Sequence, residues 1–153
     1  MAGQILFLSG RVQGVTRRRL DQLVRSRGGR LVAKPAARVT MIAVGHSAAS
    51  NVLPDGRVQL PAGLPATAAM ISENQLRCHL GLLRLPETVD RSHGMADLER
   101  LSGLTLRHLS CLALFDVLEP VEKRYSYRDL VAAREAGRGA FRRAAARPLG
   151  PAG

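Results

Sequence analysis

The chain has 153 residues, a length typical of one ordinary domain or two small ones. Its hydrophobic fraction of 46% can form a packed core, which argues against a fully disordered chain. No apolar run approaches the roughly 20 residues of a membrane span, and residues 1–10 lack the basic start of a signal peptide. The two cysteines, Cys78 and Cys111, form no C-x-x-C pair, which argues against a disulfide framework or a zinc site. We therefore expect a cytoplasmic protein without membrane contact.

The formal net charge of +11 is distributed unevenly along the chain. Residues 1–38 carry nine cations and one acid, so their net charge is +8. Residues 39–89 and residues 90–138 each have no net charge, and residues 139–153 add three arginines. Such a concentration of positive charge is typical of a phosphate-binding surface. A solvated helix face without a partner is the alternative that composition leaves open.

The first segment alternates strand and helix patterns. Residues 5–8 form a short apolar run, typical of a strand that is buried on both faces. Thr16 predicts the start of a helix, and Gly28-Gly29 predicts its end. Further strands are predicted near residues 31–33, 40–44 and 70–71, before a helix opened by the capping-box pattern that starts at Ser72. This order predicts an α/β domain over residues 1–85, with a small, mainly parallel sheet and flanking helices.

This segment resembles the BRCT domain, especially the kind attached to bacterial NAD-dependent DNA ligases. The residues that carry the resemblance are Phe7-Leu8-Ser9-Gly10, Gly14-Val15-Thr16-Arg17, Gly28-Gly29, the strand over 39–45, Gly63-Leu64-Pro65 and Met70-Ile71-Ser72-Glu73. The combined spacing of the Ser-Gly, Thr-Arg and Gly-Gly pairs is more specific than any one of them.

The resemblance implies a phosphate site at the turn after the first strand. In phosphate-binding BRCT domains, a Ser or Thr and a Gly at this turn hold the phosphate together with a Lys from the second helix. Ser9 and Gly10 match, and they precede a helix N-terminus, where phosphate binds readily. Residues 46–60 contain no lysine, so Arg11, Arg17 and Arg57 are the candidates to replace it. A BRCT-like scaffold for protein contacts, without a phosphate pocket, is the alternative.

A second segment follows a polar, aperiodic stretch that we interpret as a linker over residues 86–94. A short helix over 97–102 closes at Gly103, and Thr105 can cap a second helix. Two short helices joined by a turn that contains Gly are typical of a helix-turn-helix. A small hairpin over 122–125 and a further helix complete a mostly helical domain over residues 95–138.

This second segment resembles the MerR-type winged helix-turn-helix. The carrying residues are the stretch from Asp97 to Thr105, then Val117-Leu118-Glu119-Pro120, and then the stretch from Arg124 to Arg134. The resemblance implies that the helix after the turn enters the major groove and that the wing contacts phosphates. It assigns Thr105, Arg107 and His108 to base edges, and it assigns Lys123, Arg124 and Tyr125 to the DNA backbone. The chain departs from the family in its short wing and in the lack of a long dimerisation helix.

These features together predict a non-enzymatic, bacterial DNA-binding protein of the cytoplasm, acting in transcription regulation or DNA repair. Its expected partners are duplex DNA, including 5′-phosphorylated ends, and a protein. No nucleophile–base pair, metal-ligand spacing or cofactor motif is recognisable, so we expect no catalytic residue, metal or cofactor. Residues 139–153 are predicted to be a disordered basic tail. A protein-interaction adaptor that does not touch DNA is the alternative, and the neutral charge of residues 90–138 favours it.

Overall fold

The computed structural model describes residues 1–84 and 89–145. Four strands form one sheet in the order β2-β1-β3-β4, and all three strand pairs are parallel. The strands are β1 (Ile5–Ser9), β2 (Arg30–Val32), β3 (Met41–Val44) and β4 (Ala69–Ser72). The expectation of a small α/β sheet with flanking helices is therefore confirmed at this coarse level.

The sheet is apolar on both faces, because its strands are continuous hydrophobic runs. One face carries Leu6, Ala43 and Ile71, and it is covered by the helices α1 (Arg17–Ser26) and α2 (Glu73–His79). Leu20 and Val24 are the buried residues of α1. The arginines of that helix are exposed on its other sides. This packing fixes the basic face of α1 toward solvent.

The opposite face of the sheet is covered by two separate parts of the chain. Phe7, Ile42 and Val44 pack there against apolar side chains of the irregular segments that flank β3, which include a 3-10 helix over His46–Asn51. Leu114 and Phe115, from the second half of the chain, pack against the same cluster. The second half of the chain is thus docked on the face of the sheet that α1 does not occupy.

The helical half consists of α3 (Met95–Ser102), α4 (Leu106–Leu114) and α5 (Tyr127–Ala145). Gly103 ends α3 in the left-handed conformation, with a φ of 72°, as the helix-turn-helix pattern predicted. The three helices enclose their own core, formed by Leu98, Leu109, Leu118, Tyr125, Leu130 and Ala133. Helix α5 passes so close to the end of α3 that a side chain at Gly137 would collide with the Ser102 carbonyl oxygen.

Two boundaries differ from the sequence prediction. Helix α5 continues to Ala145, whereas the prediction placed a disordered tail from residue 139; residues 146–153 lie outside the described residues. Within the predicted linker, residues 85–88 are also outside them, but His93 already belongs to the helical half. It exchanges two backbone hydrogen bonds with Tyr125, at 3.1 and 2.8 Å. In the part of the chain that the structure describes, no helix is long and apolar enough to cross a bilayer.

The end of α1 has the backbone pattern of a Schellman motif. The Gly29 N–H donates to the Val24 carbonyl, and the Gly28 N–H donates to the Arg25 carbonyl, both at 3.0 Å. Gly28 has a φ of 81°, which a side chain opposes, whereas Gly29 has no positive φ. Of the two glycines that predicted the helix end, Gly28 therefore carries the conformational requirement.

We expect Gly28→Val to lower the free energy of unfolding by about 1–2 kcal/mol, because a β-branched residue is strained at this φ. Gly28→Asn also adds a Cβ near Ala2, but asparagine tolerates the left-handed region, so its cost should be smaller. Urea unfolding of both variants measures the difference. Equal losses would assign the cost to crowding rather than to backbone conformation.

Candidate functional site

A cleft of about 390 Å³ lies between the end of β1 and the first turn of α1. Three of the four phosphate candidates line it: Gly10, Arg11 and Arg17. Thr16 stands at the same place and caps α1, since its hydroxyl oxygen accepts the Arg19 N–H at 3.2 Å. The cleft therefore combines a helix N-terminus with two exposed arginines, an arrangement that suits an anion.

The turn that forms this cleft needs glycine at position 10. Gly10 has a φ of 89°, and a Cβ there would lie 2.7 Å from the Ser47 hydroxyl oxygen. The same hydroxyl accepts the Arg11 N–H at 2.8 Å, which ties the turn to the 3-10 helix. Ser9, the fourth phosphate candidate, is buried and does not line the cleft.

The arginines around the cleft differ in what already binds them. Arg17 donates to the Val32 carbonyl oxygen at 3.2 Å. Within the described ranges, the side chains of Arg11, Arg18 and Arg19 make no hydrogen bond or ion pair, and all three are exposed. Three cationic groups near the start of one helix are therefore available to an external ligand.

The start of α4, where the winged-helix resemblance places the base contacts, lies against the loop 53–57 of the first half. Arg107 Nη1 lies 3.4 Å from Asp55 Oδ2. His108 Nε2 lies 3.2 Å from the Pro54 carbonyl oxygen, and the Cα of Gly56 packs against His108. The neighbouring Arg57 N–H, and then the guanidinium groups of Arg57 and Arg107, hold the pKa of Asp55 below its usual value.

Thr105 has a structural role in this arrangement. Its hydroxyl oxygen accepts the His108 N–H at 3.3 Å, so it is the N-cap of α4, as the sequence predicted. It also lies 2.7 Å from His108 Nδ1. The expectation that Thr105, Arg107 and His108 face base edges stays a prediction. In this structure the loop 53–57 contacts the side chains of Arg107 and His108, and the Arg107 side chain remains 56% exposed.

The predicted wing is a minimal hairpin. Val121 and Arg124 exchange both backbone hydrogen bonds around a two-residue turn, in which Glu122 and Lys123 have φ values of 49° and 61°. Lys123 is exposed, whereas the Arg124 guanidinium donates to the Ser92 carbonyl. Of the two basic residues, Lys123 is thus the freer one.

Tyr125 does not belong to an exposed wing surface. Only 3% of its surface is exposed, its ring is part of the helical core, and its hydroxyl lies 3.7 Å from Met95 Sδ. Burial, and secondarily the Asp129 carboxylate, raises the pKa of Tyr125. The predicted contact of Tyr125 with a DNA phosphate is therefore wrong, because the aromatic ring is needed to fill the core.

Sequence reasoning missed a polar cluster at the carboxyl edge of the sheet. His46 follows β3, and Glu73 follows β4, at the edge where ligands commonly bind in parallel sheets. His46 Nδ1 lies 2.7 Å from Glu73 Oε2, and its Nε2 lies 2.5 Å from Asp116 Oδ2. Strand-end positions could have pointed to the first two residues. Nothing in the sequence connects Asp116 with them, because it reaches the cluster only through docking of the helical half.

Glu73 is almost completely buried, with 1% of its surface exposed. Its Oε1 accepts the Gln13 N–H at 2.7 Å and lies 3.7 Å from Arg77 Nη2. Its Oε2 has no well-aligned hydrogen bond in the structure, although the His46 ring nitrogen is close. A cavity of about 470 Å³ adjoins this cluster and is also lined by Arg84 and Glu119.

The cysteines belong to no metal-binding cluster in the described ranges. No group of three or more His, Cys, Asp or Glu side chains there could hold a metal ion. Both cysteines are free thiols. Burial raises the pKa of Cys78 and of Cys111, and the carboxylates of Asp116 and Glu119 add to the effect at Cys78. Raised pKa values favour the protonated thiol, which is the less nucleophilic form.

Comparison of the chain with protein-family models, with curated proteins and with solved structures finds no match.

We expect Thr105→Ala to destabilise the protein by about 1 kcal/mol through loss of the α4 cap, and Thr105→Ser to retain stability. Thermal unfolding of the two variants checks this. If Thr105→Ala keeps wild-type stability, the capping role is wrong, and a role in ligand contact regains support.

Proposed function

We propose that this chain is a non-enzymatic protein that binds duplex DNA mainly through its phosphates. The binding surface is the basic face of α1 together with the adjoining cleft, which we call the α1 surface: Arg11, Arg17, Arg18, Arg19 and Gly10. The observation that carries the proposal is the exposure of Arg11, Arg18 and Arg19, whose side chains have no partner among the described residues. Clustered arginines of this kind attract a polyanion and release its counterions on binding.

The distribution of charge supports the same surface. The net charge of +8 belongs to residues 1–38, whereas residues 90–138 have none. Helix α1 packs on one face of the sheet, and Leu114 and Phe115 pack on the other. DNA bound at the α1 surface is therefore expected to be held without the start of α4. Such binding carries little sequence information, because phosphate contacts position a protein but do not read bases.

The finer assignments rest on resemblance. The parallel strand order, with α1 between β1 and β2, supports a BRCT-like first domain. The turn from α3 to α4 and the two-residue hairpin support a MerR-like second domain. On this basis we place the protein in the bacterial cytoplasm, in transcription regulation or DNA repair. The cleft beside Arg11 is the proposed site for a 5′-phosphorylated end.

A protein-interaction adaptor is the second candidate function. It is favoured by the contacts of the loop 53–57 with Arg107 and His108, which engage side chains that a recognition helix would use. The neutral charge of the helical half also fits a protein partner better than DNA. In this case the helical half contacts a protein, and neither half contacts DNA.

Salt dependence distinguishes the two functions. The affinity for a random duplex should fall steeply with salt, and each lost phosphate contact should make the slope of log affinity against log salt shallower by about 0.9. We expect the double variant Arg18→Ala/Arg19→Ala to have a shallower slope and weaker binding. The charge-matched control Arg100→Ala/Arg134→Ala removes two exposed cations of the helical half and should leave both unchanged.

An equal effect of the two double variants would mean that net charge, and not the α1 surface, determines binding. If the wild-type chain fails to bind duplex DNA at about 50 mM salt, phosphate-dominated binding is excluded, and the adaptor function is favoured.

The cleft at the start of α1 predicts a preference for one kind of DNA end. A duplex with a 5′-phosphate should bind more tightly than the same duplex without it, because a terminal phosphate carries additional charge. Arg11→Gln should remove this difference, and Arg107→Gln should retain it, since Arg107 lies outside the cleft. A competition gel shift with the two duplexes measures the ratio. No preference in the wild-type protein would exclude the cleft as an end-binding site.

A further inference from the structure

The polar cluster His46–Glu73–Asp116 joins the two halves of the chain. His46 and Glu73 come from the ends of two adjacent strands, and Asp116 comes from the segment directly after α4. Asp116 Oδ2 also accepts the Asn74 N–H at 3.0 Å. Leu114 and Phe115, the residues immediately before Asp116, pack on the sheet. The cluster is therefore placed to control how firmly the helical half is docked.

The number of N–H groups on the His46 ring decides how many carboxylates it can serve. Each ring nitrogen of His46 lies within 2.7 Å of a carboxylate oxygen, and ionised carboxylates only accept hydrogen bonds. A neutral imidazole has one N–H and can serve one of them, so the other carboxylate would face a nitrogen lone pair. The imidazolium has two N–H groups and can serve both. The cluster thus favours a charged His46 over a neutral one.

The burial of the two carboxylates limits their access to water. Glu73 has 1% of its side chain exposed and Asp116 has 8%, so neither carboxylate can readily exchange His46 for water. His46 itself is 42% exposed, so it can exchange a proton with solvent. Arg77 is the other cation near Glu73, but it lies at 3.7 Å on the side of Oε1 and also donates to the Gln13 carbonyl.

The remaining charged or titratable groups near the cluster do not replace His46. Cys78 and Glu119 lie near Asp116 and add no cation. Arg84 lines the adjoining cavity without an ion pair to Glu73 or Asp116 within the described residues. In addition, Asp116 has a φ of 60°, in the left-handed region that aspartate adopts more readily than most residues other than glycine.

We infer that His46 is a proton-dependent latch between the sheet and the helical half. With His46 charged, each ring N–H faces a carboxylate oxygen, and the segment after α4 is held against the sheet. When His46 loses its proton, one buried carboxylate loses its partner, and the contact through Asp116 weakens. Because the closed state binds one more proton than the opened state, raising the pH favours opening.

The direct test is nitrogen NMR of the full-length, ¹⁵N-labelled chain between about pH 5.5 and about pH 8, the range in which histidines ordinarily change charge. At the lower pH, both ring nitrogens of His46 should be protonated. On raising the pH, the Asn74 amide signal should move in parallel with the ring signals, because its N–H is bonded to Asp116. The inference would be overturned if only one ring nitrogen of His46 were protonated at the lower pH. It would also be overturned if the Asn74 amide signal did not move with the ring signals.

Hydrogen exchange measures the consequence for docking. After correction for intrinsic exchange rates, the protection of the Asn74 amide should fall roughly tenfold across this pH range, a size typical of losing a charged hydrogen bond. His46→Gln should remove most of this pH dependence, because glutamine has no titrating proton. His79→Gln is the matched control, since His79 is exposed on α2 and makes no side-chain hydrogen bond or ion pair in the described part of the chain.

A second control addresses the other histidine between the halves. His108→Gln replaces a ring that contacts the Pro54 carbonyl, and the pH dependence at Asn74 should survive it. If it disappears in His108→Gln and persists in His46→Gln, the latch is assigned to the wrong histidine. If His46→Gln does not fold, the ring and amide titrations of the wild-type chain still decide whether His46 acts as the latch.

Discussion

The structure depends on one constraint, which is that a parallel sheet has two apolar faces and both must be covered. Helices α1 and α2 cover one face. Helix α1 packs its apolar residues on the sheet, and its other sides carry arginines. On the second face, the described part of the first half contributes only a 3-10 turn and irregular segments. Leu114 and Phe115 complete this cover. The helical half is therefore part of how the sheet is buried, and its orientation follows from that.

This orientation separates the two chemical surfaces of the molecule. The arginines of α1 project from one side of the sheet, while the helical half is anchored on the other. Docking also brings the start of α4 against the loop 53–57, where Arg107 and His108 find partners. Exposed ion pairs such as Arg107–Asp55 contribute little stability. The position of α4 is consequently a result of apolar docking at its far end, and not of the polar contacts at its start.

The same docking generates the histidine cluster. Glu73 is buried because it begins α2 at the end of β4, and its Oε1 satisfies the Gln13 N–H in the loop after β1. A buried carboxylate is unfavourable unless it is paired. A ring nitrogen of His46 lies 2.7 Å from Glu73 Oε2, and the other ring nitrogen meets Asp116 when the helical half is in place. Local strand topology thus places two of the three groups, and long-range packing supplies the third.

Local signals in the sequence determined most of the elements of this protein. The apolar runs predicted the strands, and Thr16, Ser72 and Thr105 predicted helix starts that the structure confirms, because capping depends on residues only three positions apart. Gly28 and Gly103 marked helix ends for the same local reason. Only the tertiary structure decided the roles of the other residues. It buried Tyr125, brought Arg107 and His108 against the loop 53–57, and joined His46 to Asp116, since each of these outcomes depends on how the halves pack, which no short-range pattern encodes.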